Sequence, residues 1–298
     1  MQIFHDYNIG KYSWFKTGGN AEIFAIVESI NELQEVVSAN SKKDITILGA
    51  GSNCLIRDGG IDGLVIKLAG DFLKIDILKK INASINNDDI CLVKAGSAVL
   101  SAKLSNFLIS NNLIGGEFLD TIPGSVGGMI ITNAGCFGGE VKDILLSADL
   151  LIDNNIKTYT NADFCFKYRT SQVPKNAIIM SAIFKMTQGN ENDIIMAKNR
   201  IQQMREKRKQ NQIIGLTCGS TFANPEGYSA WELIDKVGLR GHKIGGAMFS
   251  EKHCNFIVNF NNAKAQDIEN LIELAKQKVL DKFGIELKTE IRILGKKS

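Results

Sequence analysis

The chain has 298 residues, 44% of them hydrophobic and 22% charged, with a formal net charge of +3. That is room for two domains with sizeable cores, in the make-up of an ordinary globular protein. So small a positive excess gives no electrostatic case for nucleic acid or an anionic membrane surface, and the absence of an apolar run of about 18 residues argues against a membrane span. The start, MQIFHDYNIGKYSW, has no basic segment followed by a long apolar one, so no signal peptide is expected. Cys54, Cys91, Cys136, Cys165, Cys218 and Cys254 are scattered without a C-x-x-C, which argues against a disulfide framework or a zinc site. A reducing, cytoplasmic setting is the simple expectation. His5, His242 and His253 are too dispersed for a metal cluster, and no metal is expected.

In chain order, SINELQEVVSAN predicts a helix capped by Ser29, with Leu33, Val36 and Val37 on one face. Short strands are expected at 45–48, 63–68 and 91–96. Residues 97–113 carry Leu100, Leu104, Phe107 and Leu108 at helical spacing, with Ser97 as the cap. Strands follow at 147–153, 156–160 and 177–186, with Asn154 and Asn155 as a hairpin turn. A long helix is expected over 191–210, its end basic from Arg205 to Lys209. That run suits a solvated helix end favoured by the helix dipole, or a phosphate contact. An amphipathic helix over 229–238 stops at Gly238. A strand at 255–260, a helix over 265–284 ending at Gly284 and a strand at 285–294 complete the chain.

Several stretches carry more than structure. ILGAGSNCLI (47–56) joins a strand to a glycine turn, where Gly49 and Gly51 would allow positive φ and a nest of backbone N–H groups. It lacks the third glycine of G-x-G-x-x-G, which argues against a dinucleotide fold of that type. Residues 115–140 are rich in glycine and nearly uncharged. Backbone so bare suits a flat ligand or a diphosphate lying on the main chain. Arg169, at an expected strand end, is either a carboxylate grip or a surface ion pair. Ser220, between Gly219 and Thr221, is either a plain turn residue or a hydroxyl held out for chemistry. Glu290 alternates with apolar residues and alone reads as a solvent-facing strand position.

Taken together, WFKTGG (14–19), LGAGSN (48–53), IPGSVGG (122–128) with NAG (133–135), Tyr168-Arg169, CGSTFANP (218–225), GLRGHKIGGA (238–247), HCNFIVN (253–259) and EIRILG (290–295) resemble the UDP-N-acetylenolpyruvoylglucosamine reductase family. The motifs run in the family's order over roughly residues 8–295. The resemblance implies an α+β fold: a two-lobed FAD-binding domain of the vanillyl-alcohol-oxidase (PCMH) type, then a small α/β substrate domain. The boundaries expected are 1–190, with lobes of about 1–70 and 71–190, and 191–298. The short span between Met186 and Ser220 is similar to the compact subtype that lacks an inserted substrate loop.

The resemblance also implies non-covalent FAD, held by Gly49, Ala50, Gly51, Ser52, Asn53, Ile122, Pro123, Gly124, Ser125, Gly128, Asn133 and Gly135. NADPH is implied as co-substrate. Tyr168, Arg208 and Asn224 are implied substrate contacts. Arg169 and Glu290 would stabilise charge on the substrate carboxylate, and Ser220 would protonate its α-carbon. The implied substrate is UDP-N-acetylglucosamine enolpyruvate, with no nucleic-acid or membrane partner and a monomeric state. The chain departs from the family pattern in Ala223, where lysine is common, and in Thr121, where glycine is usual. Lys207, Arg208 or Lys243 are the cations that could take over from the missing lysine. Two alternatives stand beside this reading: an oxidase of the same flavin fold, and a non-catalytic binder of nucleotide sugar or flavin.

Overall fold

The structure is a computed structural model and describes residues 1–81, 89–211, 213 and 215–298. The chain begins with β1 (Gln2–Asn8), β2 (Asn20–Val27), α1 (Ile30–Ala39), β3 (Ile45–Ile47), β4 (Cys54–Ile56), β5 (Ile61–Leu68), β6 (Ile75–Ile81) and β7 (Ile90–Gly96). Next come α2 (Ser101–Ser110), β8 (Leu113–Ile114), α3 (Val126–Ile131), β9 (Gly135–Cys136), β10 (Gly139–Glu140), α4 (Val141–Ile144), β11 (Leu145–Ile152), β12 (Asn155–Thr160) and β13 (Ile178–Gln188). The last part holds α5 (Glu191–Asn211), α6 (Ala230–Lys236), β14 (Lys243–Ile244), β15 (Ala247–Phe249), β16 (Ile257–Asn259), α7 (Ala265–Phe283) and β17 (Arg292–Leu294). None of the described helices is long and apolar enough to cross a membrane.

Packing divides the chain into two compact units, and not by a single cut near residue 190. The first comprises residues 1–2, 25–50 and 66–208; the second comprises 3–24, 51–65 and 209–298. Long-range pairing draws these lines. Most of α5 stays with the first unit, where Arg205 clamps Asp120 through two hydrogen bonds of 2.6 and 2.7 Å. The segment around β4 joins the second unit because β4 pairs in parallel with β17, Cys54 opposite Arg292. Arg57 there also grips the nearly buried Glu269 at 2.8 Å.

The first unit is built on an antiparallel sheet in the order β12-β11-β13-β7-β6, with β8 also on β13. Its register sets Ala182 of β13 opposite both Ala148 and Ala95. Val93, Phe184, Leu104 and Leu108 fill the core around them, and α3 comes close to the sheet at Gly127, where a Cβ would stand 3.2 Å from the Ser97 Cβ. The second unit wraps α6 and α7 around the sheet β14-β15-β16. Ile268, Leu271, Ile272, Ala275 and Val279 supply the apolar stripe of α7, all fully buried.

Local signals behave as expected at several points. Ser29 caps α1 by accepting from the Glu32 N–H at 3.3 Å. Gly284 ends α7 at φ +68°. Others need correction. Ser97 is not a helix cap: α2 begins at Ser101, with Leu100 in the cap position. The hairpin between β11 and β12 turns on Asp153 and Asn154, both at positive φ, because Asn155 already pairs with Ile152. The final strand shrinks to β17, and of residues 285–291 only Thr289 makes a bridge, to Phe222.

Candidate active site

Two sets of the expected residues lie in different units. In the first unit, the ends of β3 and β5, the loop after β7 and the start of α3 enclose a cavity of about 330 Å³. Gly49, Ala50, Ser97, Ser125 and Gly128 line it, with Lys67 at its edge. Gly49 does not adopt positive φ as expected; it serves close approach, since a Cβ there would sit 2.9 Å from Ser125 Oγ. Burial lowers the Lys67 ammonium below its usual range, and its Nζ donates to the Gly49 carbonyl at 3.3 Å. Lys67 and Ser97 were not legible as site residues: one sits inside an alternating strand and the other mimics a cap.

Ile122, Pro123 and Gly124 form the turn that leads into α3. The Ser101 hydroxyl donates to the Ile122 carbonyl, and the Ser101 N–H to the Gly124 carbonyl. The Asn133 side chain is committed elsewhere. It is buried, donates to Glu140 at 2.9 Å and to the Lys167 carbonyl at 3.1 Å, and accepts from the Lys142 N–H. Only its backbone remains for a ligand.

Arg169 sits in the first unit too, in a tight turn rather than at a strand end. Lys167 and Thr170 exchange backbone hydrogen bonds across it, and Arg169 is left-handed at φ +58°. Its Nη1 donates to the Gly135 carbonyl at 2.7 Å, and its guanidinium lies 5.3 Å from the exposed Tyr168 ring. Arg208 is near. Burial lowers its guanidinium from the ordinary arginine value; the Cys136 thiol opposes this and the charge of Arg169 adds to it. An arginine stays charged under such a shift. Two cations therefore share one small region, which suits an anionic ligand.

In the second unit Ser220 and Glu290 lie on neighbouring extended segments. The Glu290 N–H donates to the Thr221 carbonyl at 2.8 Å, and the Ala223 N–H to the Lys288 carbonyl at 3.0 Å. On its other side Ser220 forms a bridge with Phe256. Asn53, expected to meet the cofactor, instead donates to the Glu290 carbonyl at 3.1 Å. Gly51 at φ +70° has no room for a Cβ, which would run into the Tyr12 carbonyl. Ser52 is buried beside it. Asn224 accepts from the Ala230 N–H at 2.9 Å and so ties down the start of α6.

The chain matches two family models. Residues 21–155 match the FAD binding domain, and residues 210–294 match the UDP-N-acetylenolpyruvoylglucosamine reductase C-terminal domain. It is 44% identical over 293 residues to the UDP-N-acetylenolpyruvoylglucosamine reductase of Rickettsia akari, covering 98% of this chain and 95% of that one. The reductase of Rickettsia prowazekii matches to the same extent. The chain belongs to the UDP-N-acetylenolpyruvoylglucosamine reductase family. This reductase is an FAD-dependent oxidoreductase with an FAD-binding domain and a C-terminal domain. A solved reductase from Thermus caldophilus shares its fold, with a TM-score of 0.80, 29% identity and coverage of 98% of each chain.

The cavity of the first unit fits part of such a cofactor. Its wall alternates small residues such as Gly49, Ala50 and Gly128 with apolar ones such as Leu68, Leu73 and Ile131, which suits a flat apolar ring close to the main chain. Ser97 lines it, but its Oγ is buried away from the open space and has no hydrogen-bond partner among the described residues. The fit rests on Gly49, where a Cβ would stand 2.9 Å from Ser125 Oγ, so that only bare main chain keeps the space open. Gly49, Ala50, Ser97, Ser125 and Gly128 are the residues of this reductase that would hold FAD there.

Proposed function

We propose that the protein reduces UDP-N-acetylglucosamine enolpyruvate to UDP-N-acetylmuramate, with NADPH as the reductant, in peptidoglycan precursor synthesis. The full-length match to reductases of that name carries this reading. Bound FAD supplies a hydride relay from the nicotinamide to the vinyl carbon of the substrate. The residues of the chain handle the charge and the proton. Electron density from the attacked double bond moves onto the substrate carboxylate. The Arg169 guanidinium offsets that charge, and Glu290 donates a hydrogen bond to it in its protonated form. The Ser220 hydroxyl then gives its proton to the α-carbon and closes the reduction. A hydroxyl is a weak acid, so this step needs a strongly basic carbon and close placement. Tyr168, Arg208 and Asn224 belong to the substrate contacts in this reading. A monomeric state and a cytoplasmic setting belong to it as well; light scattering and cell fractionation check them.

The test is the visible spectrum of the FAD-loaded protein under anaerobic conditions. NADPH should bleach the flavin bands, and the enolpyruvyl substrate should restore them. Bands restored only by oxygen would make the protein an oxidase instead. In the Ser220→Ala variant bleaching by NADPH should persist, while restoration slows by roughly 10²–10⁴-fold. Equal loss of both steps would remove Ser220 from the proton-donor role.

A further inference from the structure

We infer that Asn255 is a positioning residue for Ser220. The inference rests on the reading of Ser220 as the proton donor. Residues 218–225 form no regular strand, so Ser220 has no ladder of its own to hold it. On its N-terminal side stands Gly219, left-handed at φ +79°, with no atom within 4 Å of where a Cβ would lie. Packing at that glycine therefore fixes little. Before it, Cys218 is buried and its thiol donates to the Cys54 carbonyl at 3.3 Å, so the loose joint is Gly219 alone and the restraint beyond it comes from the residues after the serine.

Asn255 supplies it. The residue is 4% exposed. Its Oδ1 accepts from the Phe222 N–H at 2.9 Å, and its Nδ2 donates to the Phe222 carbonyl at 2.8 Å. Its own carbonyl accepts from the Thr221 N–H at 2.7 Å. One buried side-chain amide thus replaces the two bonds that a neighbouring strand would offer Phe222. The Ser220 bridge to Phe256 continues the same contact one residue on. The opposite edge is held by the Thr221 carbonyl bond to Glu290. In Asn255→Ala the segment keeps its Glu290 edge, the Thr221 bond to the carbonyl of residue 255 and the Ser220 bridge to Phe256, but loses both bonds that the amide makes to Phe222. The segment is then free to shift at Phe222, and Ser220, two residues before it, shifts with it. A displacement of about 1 Å in a reacting group can cost 10²-fold in rate.

The experiment uses the FAD-loaded enzyme and follows both half-reactions by anaerobic stopped flow. Asn255→Ala should reduce the rate of flavin recovery with the enolpyruvyl substrate by roughly 10- to 100-fold. Bleaching by NADPH should stay within about twofold, because that step does not use Ser220. The double variant Ser220→Ala/Asn255→Ala should be no slower than Ser220→Ala alone, since Asn255 acts through the serine. Asn255→Asp keeps the acceptor for the Phe222 N–H and loses the donor. It should fall between wild type and Asn255→Ala, and it carries the test if Asn255→Ala does not bind flavin. Parallel loss of both half-reactions, unchanged recovery, or a double variant slower than Ser220→Ala would overturn the positioning role. If Ser220→Ala itself recovers at the wild-type rate, the proton-donor reading fails first and takes this inference with it.

Discussion

The cavity of the first unit and the Ser220–Glu290 segments of the second fix atoms in opposite ways. Around the cavity, Gly49, Ala50 and Gly128 bring the main chain to the surface between apolar side chains such as Leu68, Leu73 and Ile131. Around Ser220, side chains are added: Asn255 and Asn53 spend their amides on backbone groups. The first arrangement leaves room for a large ligand and demands little of the fold. The second has little slack, so its geometry and the stability of its unit are one property. Substitutions in the cavity wall should therefore change flavin affinity more than stability, and changes in the second unit should do the reverse.

The largest expected effect is alkaline. Burial pushes the Cys54 thiol up to about 12, with the nearby Cys218 adding to the shift and the Ser13 hydroxyl opposing it. Burial likewise pushes Cys218 up to about 11. Ser13, Cys54 and Cys218 all belong to the second unit. Below the ordinary thiol value of 9.0 both folded and unfolded chains keep these protons, and stability is whole. Above it the unfolded chain loses them first. Stability should then fall as pH rises from about 9 to 11, by about 1.4 kcal/mol per pH unit for each thiol. Trp14 and Trp231, the two tryptophans of the chain, both lie in the second unit. Melting followed by tryptophan fluorescence should show the loss, and Cys54→Ala/Cys218→Ala should lessen it, leaving the share of Cys254, which burial pushes up to about 11 in the same unit. A melting temperature constant to pH 11 would contradict the burial of these thiols.

Flavin affinity comes next. Gly49→Val places a side chain where even a Cβ stands 2.9 Å from Ser125 Oγ. The hydroxyl can rotate away, so the protein should fold, with FAD affinity lower by at least about tenfold, or 1.4 kcal/mol. Equilibrium dialysis of FAD against the variant reads this directly. Full flavin content would mean that the cofactor does not use this wall. Ser97→Ala removes a hydroxyl closed off from the cavity and should leave FAD affinity within about threefold. Because Ser97 Oγ has no protein partner among the described residues, the melting temperature of the flavin-free variant should not fall. A fall there with unchanged FAD affinity would make the hydroxyl structural.

The same contrast explains what could be read from the sequence. Glycine density around 47–56 and 115–140 marks close backbone approach, and those stretches supply part of the cavity wall, the rest coming from the ends of β5 and β7 and from Ala177 and Ile179. Caps such as Ser29 and Gly284 are local and were legible. Ser97 was not, because a serine before an amphipathic run has the same sequence signal whether or not the helix starts there. Residue contacts far apart in the chain were invisible. The pairing of Cys54–Ile56 with Arg292–Leu294, and the grip of Arg57 on Glu269, decide where the second unit lies, and no local pattern announces them. Ser220 stands out by its place between Gly219 and Thr221, but its role, like that of Glu290, came only through family motifs, since Glu290 alone reads as a surface strand residue. Asn255 gave no signal beyond a polar residue inside the apolar run HCNFIVN.

The smallest predicted effect separates the two arrangements most sharply. Thr221, like Ser97, has a buried hydroxyl with no partner among the described residues, and it is fully buried. Unlike Ser97, it does not line the cavity. Its N–H and carbonyl are already bonded, to Asn255 and Glu290. Thr221→Val keeps the branched shape and removes a hydroxyl desolvated for no return. Stability should hold or rise by about 1 kcal/mol, and flavin binding and both half-reactions should be unchanged. If the variant melts lower, or turns over more slowly with its flavin intact, then the Thr221 hydroxyl has a partner in the working enzyme. The Ser220 segment would then depend on a bound group just as the cavity wall does, and the contrast between the two units would fail at its most buried point.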